Sequence, residues 1–334
     1  MHKKMRYSHT IERFCGIGKR SGIGYNQADE GKASRLEIHA GEWIEMGYRL
    51  FSDMTADVSD ELMAGMPTVE FVPMQVEVGD ESYTYGPEGD LTVEHFYAEQ
   101  RGGKFASTSQ INPMVYRERF EKVLMEGEDV LYLCFSSGMS GTLQSARLCA
   151  QELREDYPDR KVVVMDTLCA SVGEAMLVRE AARMQQEGYN IDELAVWVVG
   201  NRENICHWFT VDTFEHLRHG GRVSAAAAAV GTMLQIKPLL HVDEDGKLRV
   251  AEKPRGRKQA IRMQIAHMKA GWTPEMGKLV VVGHGDCPED GEQLKQAVLK
   301  EFPDADVRMA NIGPVIGAHT GPGMLALIYW GNNR

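Results

Sequence analysis

The chain has 334 residues, of which 43% are hydrophobic and 25% charged, with a formal net charge of −11. That length holds two domains of ordinary size, and that balance belongs to a globular chain. The acidic excess argues against a nucleic-acid or anionic-membrane surface, and no apolar run approaches the roughly 20 residues of a membrane span.

Residues 1 to 46 read as an extension with little stable structure, because Gly-rich polar stretches such as Gly16 to Gly24 show no sustained periodicity. Basic residues open the chain without an apolar core after them, so no secretory signal is read and a cytoplasmic location is expected. Met46 stands directly before a first strand, which makes it a candidate for the natural start.

From Tyr48 the pattern alternates. Tyr48–Ser52 reads as a strand, and Asp53–Ser59 as a turn and helix cap. Thr68–Val78 alternates like a strand, and Met114–Met125 is an amphipathic helix. Val130–Cys134 reads as a buried strand, followed by a helix opening at Gly141. Lys161–Met165 is another strand and Glu174–Gln186 a long helix. This order predicts an α/β domain with a mostly parallel sheet over residues 47–205.

Residues 206–334 form a second α/β domain with a mixed or antiparallel sheet, the boundary falling near 200 to 206. Its strands read at 208–212, 239–242, 248–251, 278–282 and 306–310, and its helices near 255–270 and 289–301. Asp243–Lys247 joins two of the strands as a hairpin. Ser224–Leu240 reads as a buried helix of small apolar residues, with a wall beside a long ligand as the sharper alternative.

The six cysteines, Cys15, Cys134, Cys149, Cys169, Cys206 and Cys287, form no CxxC pair and read as free thiols. His284 and Cys287 make half of a metal site without a second half, so no metal is expected.

Three polar clusters punctuate strand ends: Ser107–Pro113, Phe135–Ala146 and Ile316–Gly323. Each suits a cap or turn, yet their shared placement suits a ligand, since open α/β sheets bind beyond the carboxyl ends of strands. Hydroxyls, helix-start amides and the imidazole of His319 can hold a carboxylate or a phosphate. Ser140 misses the nucleophile elbow because Thr142 replaces its last glycine, and His319 has no acid beside it in sequence. Lys253–Lys258 forms a basic patch that is either a solvated helix start or a docking surface.

These stretches carry a resemblance. Ser52–Asp57, Thr108–Gln110, Ser136–Ala146, Asp166–Thr167, Phe214–Ser224, Arg255–Lys258 and Ile312–Gly323 resemble, in order, the motifs of the DegV family of bacterial fatty-acid-binding proteins. Met54 departs from the serine usual there. The resemblance implies two α/β domains with a long-chain fatty acid between them and no further cofactor. It implies carboxylate contacts from Thr108, Ser140 and His319, with Thr320, Arg222, Ser109 and Gly141 nearby. It also implies a carrier rather than an enzyme, one that presents the acid to a separate ATP-dependent fatty acid kinase making acyl phosphate for phospholipid synthesis. Arg255 and Arg257 are the expected docking residues. The competing reading is an enzyme acting on a small carboxylated or phosphorylated metabolite at the same strand ends.

Overall fold

The computed structural model of the chain describes residues 36–38, 42–44, 47–223 and 235–334. Leu36–Ile38 (β1) and Glu42–Ile44 (β2) pair antiparallel inside the expected extension. The remaining expectations for residues 1–46, including a start at Met46, lie outside the described residues, as does Ser224 to Leu234 of the small-residue run.

Tyr48–Asp53 (β3) leads to a short helix, Asp60–Met63 (α1), capped by the Ser59 hydroxyl on the Leu62 amide at 3.2 Å. Pro73 then divides Thr68–Val78, expected as one strand, into Glu70–Val72 (β4) and Met74–Val78 (β5), which enter different sheets. Proline has no N–H for a ladder, so the chain changes sheet there. Glu81–Tyr85 (β6), Val93–Arg101 (α2) and Ala106–Thr108 (β7) follow. Then come Pro113–Met125 (α3), Asp129–Cys134 (β8), Thr142–Asp156 (α4) and Val162–Asp166 (β9). Ser171–Gln186 (α5) and Ile191–Asn201 (α6) complete the first half.

β4, β3, β8 and β9 form a four-stranded sheet in that order, all parallel. β8 and β9 are buried along their whole length, as continuous apolar runs require when both sheet faces are covered. β6, β5 and β7 make a small antiparallel sheet beside it.

Ile205–Thr210 (β10) opens the second half and is followed by Glu215–His219 (α7), Leu239–Val242 (β11) and Leu248–Glu252 (β12). Arg257–Gly271 (α8), Leu279–His284 (β13), Pro288–Glu301 (α9) and Asp306–Asn311 (β14) come next. Pro314–Thr320 (α10) and Leu325–Trp330 (β15) end it. The sheet order is β12-β11-β10-β15-β13-β14; β13 and β14 pair parallel and the other neighbours antiparallel. The fold is therefore α/β with a parallel first sheet and a mixed second one. The tail of the run expected as a helix to Leu240 is instead extended, with Ile236 bridging Arg255 and Leu239 entering β11.

α5 lies between the sheets. Val178, Ala181 and Ala182 pack with Leu131 and Leu133 of the first sheet, while Val172, Ala175 and Met176 pack with Phe209 and Ile328 of the second. A helix buried nearly all round needs small and apolar residues on every face, which α5 has. Among the described residues, no helix is long and apolar enough to cross a membrane.

Candidate ligand-binding site

Parallel pairing of β3, β8 and β9 brings their carboxyl-terminal loops to one edge. The loop after β8, from Phe135 to Gly141, is fixed from the other half of the molecule. Ser136 Oγ donates to the Gly246 carbonyl of the β11–β12 hairpin at 2.7 Å. A Cβ at Gly138 would lie 2.6 Å from the Asp245 carbonyl oxygen, so only glycine permits that approach.

Between the halves lies a cavity of about 760 Å³, mouth included. Its first-half wall is Met74, Phe135, Met139, Ala170 and Val172; its second-half wall includes Phe209, Leu217, Val242, Leu248, Val315, Ile316, Met324 and Ile328. Thr108, Ser140, Arg222, His319 and Thr320, expected together from sequence, all line it.

Thr108 Oγ1 and His319 Nε2 are 2.8 Å apart, joining β7 to α10 across the two halves. Burial, followed by the Arg222 charge, pushes the His319 imidazolium down to about 4, so the ring is neutral at pH 7. A neutral imidazole carries one N–H and a threonine one O–H, and their mutual bond consumes one proton. One donor is therefore left over in either tautomer, on Nδ1 in one and on the Thr108 hydroxyl in the other. His319 Nδ1 has no partner among the described residues and faces Gly220, where a Cβ would sit 2.1 Å away. A buried unpaired N–H is costly, which favours Nε2–H donating to Thr108 and leaves the Thr108 hydroxyl proton free.

Ser140 Oγ lies 2.9 Å from Thr142 Oγ1 and accepts the Thr142 amide at 3.2 Å, at the start of α4. Arg222 donates through Nε to the Met139 carbonyl at 3.4 Å and through Nη1 to the Gly220 carbonyl. It makes no ion pair among the described residues, and burial lowers its pKa, which marks a cation short of an anion. Thr320 spends its hydroxyl on the Ile316 carbonyl at 3.0 Å.

Other expected residues sit elsewhere. Ser109 is exposed, with its amide on the Gln75 carbonyl at 3.3 Å, and it is not part of the wall. Gly141 precedes α4 and packs on Gln110, where a Cβ would be 2.5 Å from the amide nitrogen. Arg255 is exposed. Arg257, expected to face a partner, turns inward instead: it pairs with Asp212 at 2.6 Å and Asp290 at 2.9 Å, donates to the Gly323 carbonyl at 2.5 Å, and is 14% exposed. Those two carboxylates and that carbonyl engage its fork, so it clamps the turn before β15.

Sequence reasoning missed Thr55, Ser171 and His207, which also line the cavity. His207 donates through Nδ1 to the Ile205 carbonyl at 2.9 Å and accepts the Ala170 amide at Nε2, 3.4 Å away, at the start of α5. Burial drives its pKa down to about 3 and keeps it neutral. Its alternation with Phe209 across β10 was the available signal, since both share the face opposite Trp208.

Comparison with known proteins agrees with this architecture. The family model described as "Uncharacterised protein, DegV family" matches residues 48–332. A DegV domain-containing protein of Clostridium perfringens is 36% identical over 285 residues, covering 85% of this chain and 98% of that protein. Among solved structures, a DegV family protein from Thermus thermophilus described for its fatty acid binding has a TM-score of 0.75 at 30% identity, covering 86% of this chain and 100% of that one. The fatty acid kinase (Fak) B3 protein of Streptococcus pneumoniae, loaded with linoleic acid, shares the fold with a TM-score of 0.76 at 21% identity and the same coverage. The parallel and mixed sheets, the cavity between them and the matched span together make this chain a member of the DegV family.

Proposed function

We propose that this protein binds a long-chain fatty acid in the cavity, with the carboxylate at Thr108, Ser140, His319 and Arg222 and the acyl chain among the apolar walls. One observation carries the reading: a largely apolar cavity ends in a cluster of neutral donors beside a guanidinium that has no carboxylate partner among the described residues. Burying an acyl chain is favourable by about 0.8 kcal/mol per methylene, so a chain of about 14 methylenes gains roughly 11 kcal/mol before association costs. The carboxylate loses its hydration, and the Thr108–His319 donor, the Ser140 hydroxyl and Arg222 replace it.

The role is presentation rather than chemistry. A separate ATP-dependent fatty acid kinase takes the bound acid, one carboxylate oxygen attacking the γ-phosphorus of ATP to form acyl phosphate and ADP. Exposed Arg255, with Lys253 and Lys258 beside it, is the docking patch for that partner. The family resemblance supports this step.

Native mass spectrometry of the protein purified from cells tests the binding. A bound mass in the range of long-chain acids is expected. A protein that carries none and does not displace a fluorescent fatty acid analogue overturns the reading.

A further inference from the structure

Three carboxyls are buried beside the cavity. Asp53, Asp57 and Glu174 are 0%, 4% and 0% exposed. Among the described residues, no cationic side chain offsets their burial. They reach the cavity wall through Thr55 and Ser171. Thr55 Oγ1 bonds an Asp53 oxygen and also lies 2.8 Å from Glu174 Oε2. Ser171 donates to Asp57 Oδ2 at 2.5 Å, and the Gly313 amide donates to Asp57 Oδ1 at 2.8 Å.

The proton count separates the three acids. The Thr55 hydroxyl has one proton for two carboxyl oxygens, so one acid supplies another. Asp53 also receives the Thr55 amide at 2.9 Å, the Tyr132 hydroxyl at 2.5 Å and the Phe135 amide at 3.5 Å, which suits the anion. Glu174 is then the neutral acid, its pKa held well above the carboxylate range by burial and by Asp53. Asp57 is intermediate: burial pushes it up to about 7, against the pull of the Ser171 and Gly313 bonds. Asp53 from β3, Glu174 from α5, Tyr85 from β6 and Tyr97 from α2 act on it, and burial keeps both tyrosines neutral.

We propose that Asp57 is a proton-binding site coupled to the cavity, taking up a proton from solvent as an acyl chain fills the space beside Ser171. The inference rests on the acyl-chain reading above. An apolar chain against Ser171 lowers the local dielectric around the Asp57 anion, which favours its neutral form. The ligand carboxylate at His319 acts in the same direction, since Gly313 and His319 are separated by about 9 Å of α10. Protonated Asp57 donates to Ser171 Oγ and still accepts from the Gly313 amide. The start of α10, which carries His319, therefore stays anchored in both states. One negative charge enters, and proton uptake brings Asp57 to full protonation.

Titration calorimetry at pH 7 with dodecanoate, kept below self-association, in buffers of different ionisation enthalpy tests this. Wild type should show uptake of about half a proton per ligand, as a group poised near pH 7 becomes fully protonated. Asp57→Asn should abolish the buffer dependence. Ser171→Ala removes a bond that favours the anion, so its uptake should shrink at pH 7 and reappear near pH 8. Binding without buffer dependence in wild type, or uptake persisting in Asp57→Asn, overturns the inference and leaves the acyl-chain reading standing. Absence of any binding heat and of ligand displacement overturns both.

Discussion

Thr108→Val offers the sharpest probe of the head-group site, because it removes a hydroxyl while keeping the branched shape. The Thr108–His319 pair, 2.8 Å apart, holds one proton beyond its mutual bond, and in the proposed binding mode the free hydroxyl donates to the ligand carboxylate. A hydrogen bond to a charged group contributes about 1.5–3 kcal/mol, which corresponds to roughly 10- to 150-fold in affinity. The substitution also strands the imidazole N–H, which pushes toward the upper part of that range. Thr108→Ser restores the donor and should stay within about threefold of wild type, a difference under 1 kcal/mol. In a double-mutant cycle with His319→Gln the two losses should not add, because both residues belong to one donor chain. Fluorescent fatty-acid displacement gives the affinities. A Thr108→Val protein binding within about threefold of wild type, or additive losses with His319, refutes the donor count.

Gly220→Ala places a methyl 2.1 Å from His319 Nδ1, so it should displace the ring and weaken acid binding by about tenfold, read by the same displacement assay. Under the proposed docking role of Arg255, Arg255→Glu should slow acyl-phosphate formation by a fatty acid kinase without changing fatty acid affinity. Arg257→Ala should lower the thermal midpoint instead, since it breaks the pairs with Asp212 and Asp290. Asp57 has a pKa raised from 3.8 to about 7 in the folded chain, so the native state binds more protons than the unfolded one across that interval. Stability should therefore fall as pH rises from about 4 to 7, by up to about 4 kcal/mol. Denaturant melts of Asp57→Asn should lose that slope, and an unchanged slope would count against a buried titrating Asp57.

Much of this was legible in the residues because local chemistry and tertiary role coincide. Val130–Cys134 is continuously apolar and is buried on both faces; Asp243–Lys247 turns as a hairpin, with the Asp243 amide on the Lys247 carbonyl at 2.8 Å. The cavity cluster of Thr108, Ser140, Arg222 and His319 came from ordered motifs rather than from spacing, since those residues converge only when the two sheets pack. Where the reading failed, tertiary context decided. Thr68–Val78 alternates like one strand, yet Pro73 within it marks a change of sheet. Arg257 sits in a run of basic residues, and no local pattern reveals that Asp212 and Asp290 come round to meet it. Asp57 read as part of a turn and cap, and Glu174 as the opening of a long helix. Their burial follows from α5 lying between the two sheets, which is not a property of either segment alone.

A crystal structure with a fatty acid brominated at its terminal carbon tests the central claim most directly. The account predicts carboxylate oxygens within hydrogen-bond distance of Thr108 and Ser140, and the bromine signal deep among the apolar side chains between the sheets. A bromine at the His319 end, or an acid bound outside the cavity, would contradict it.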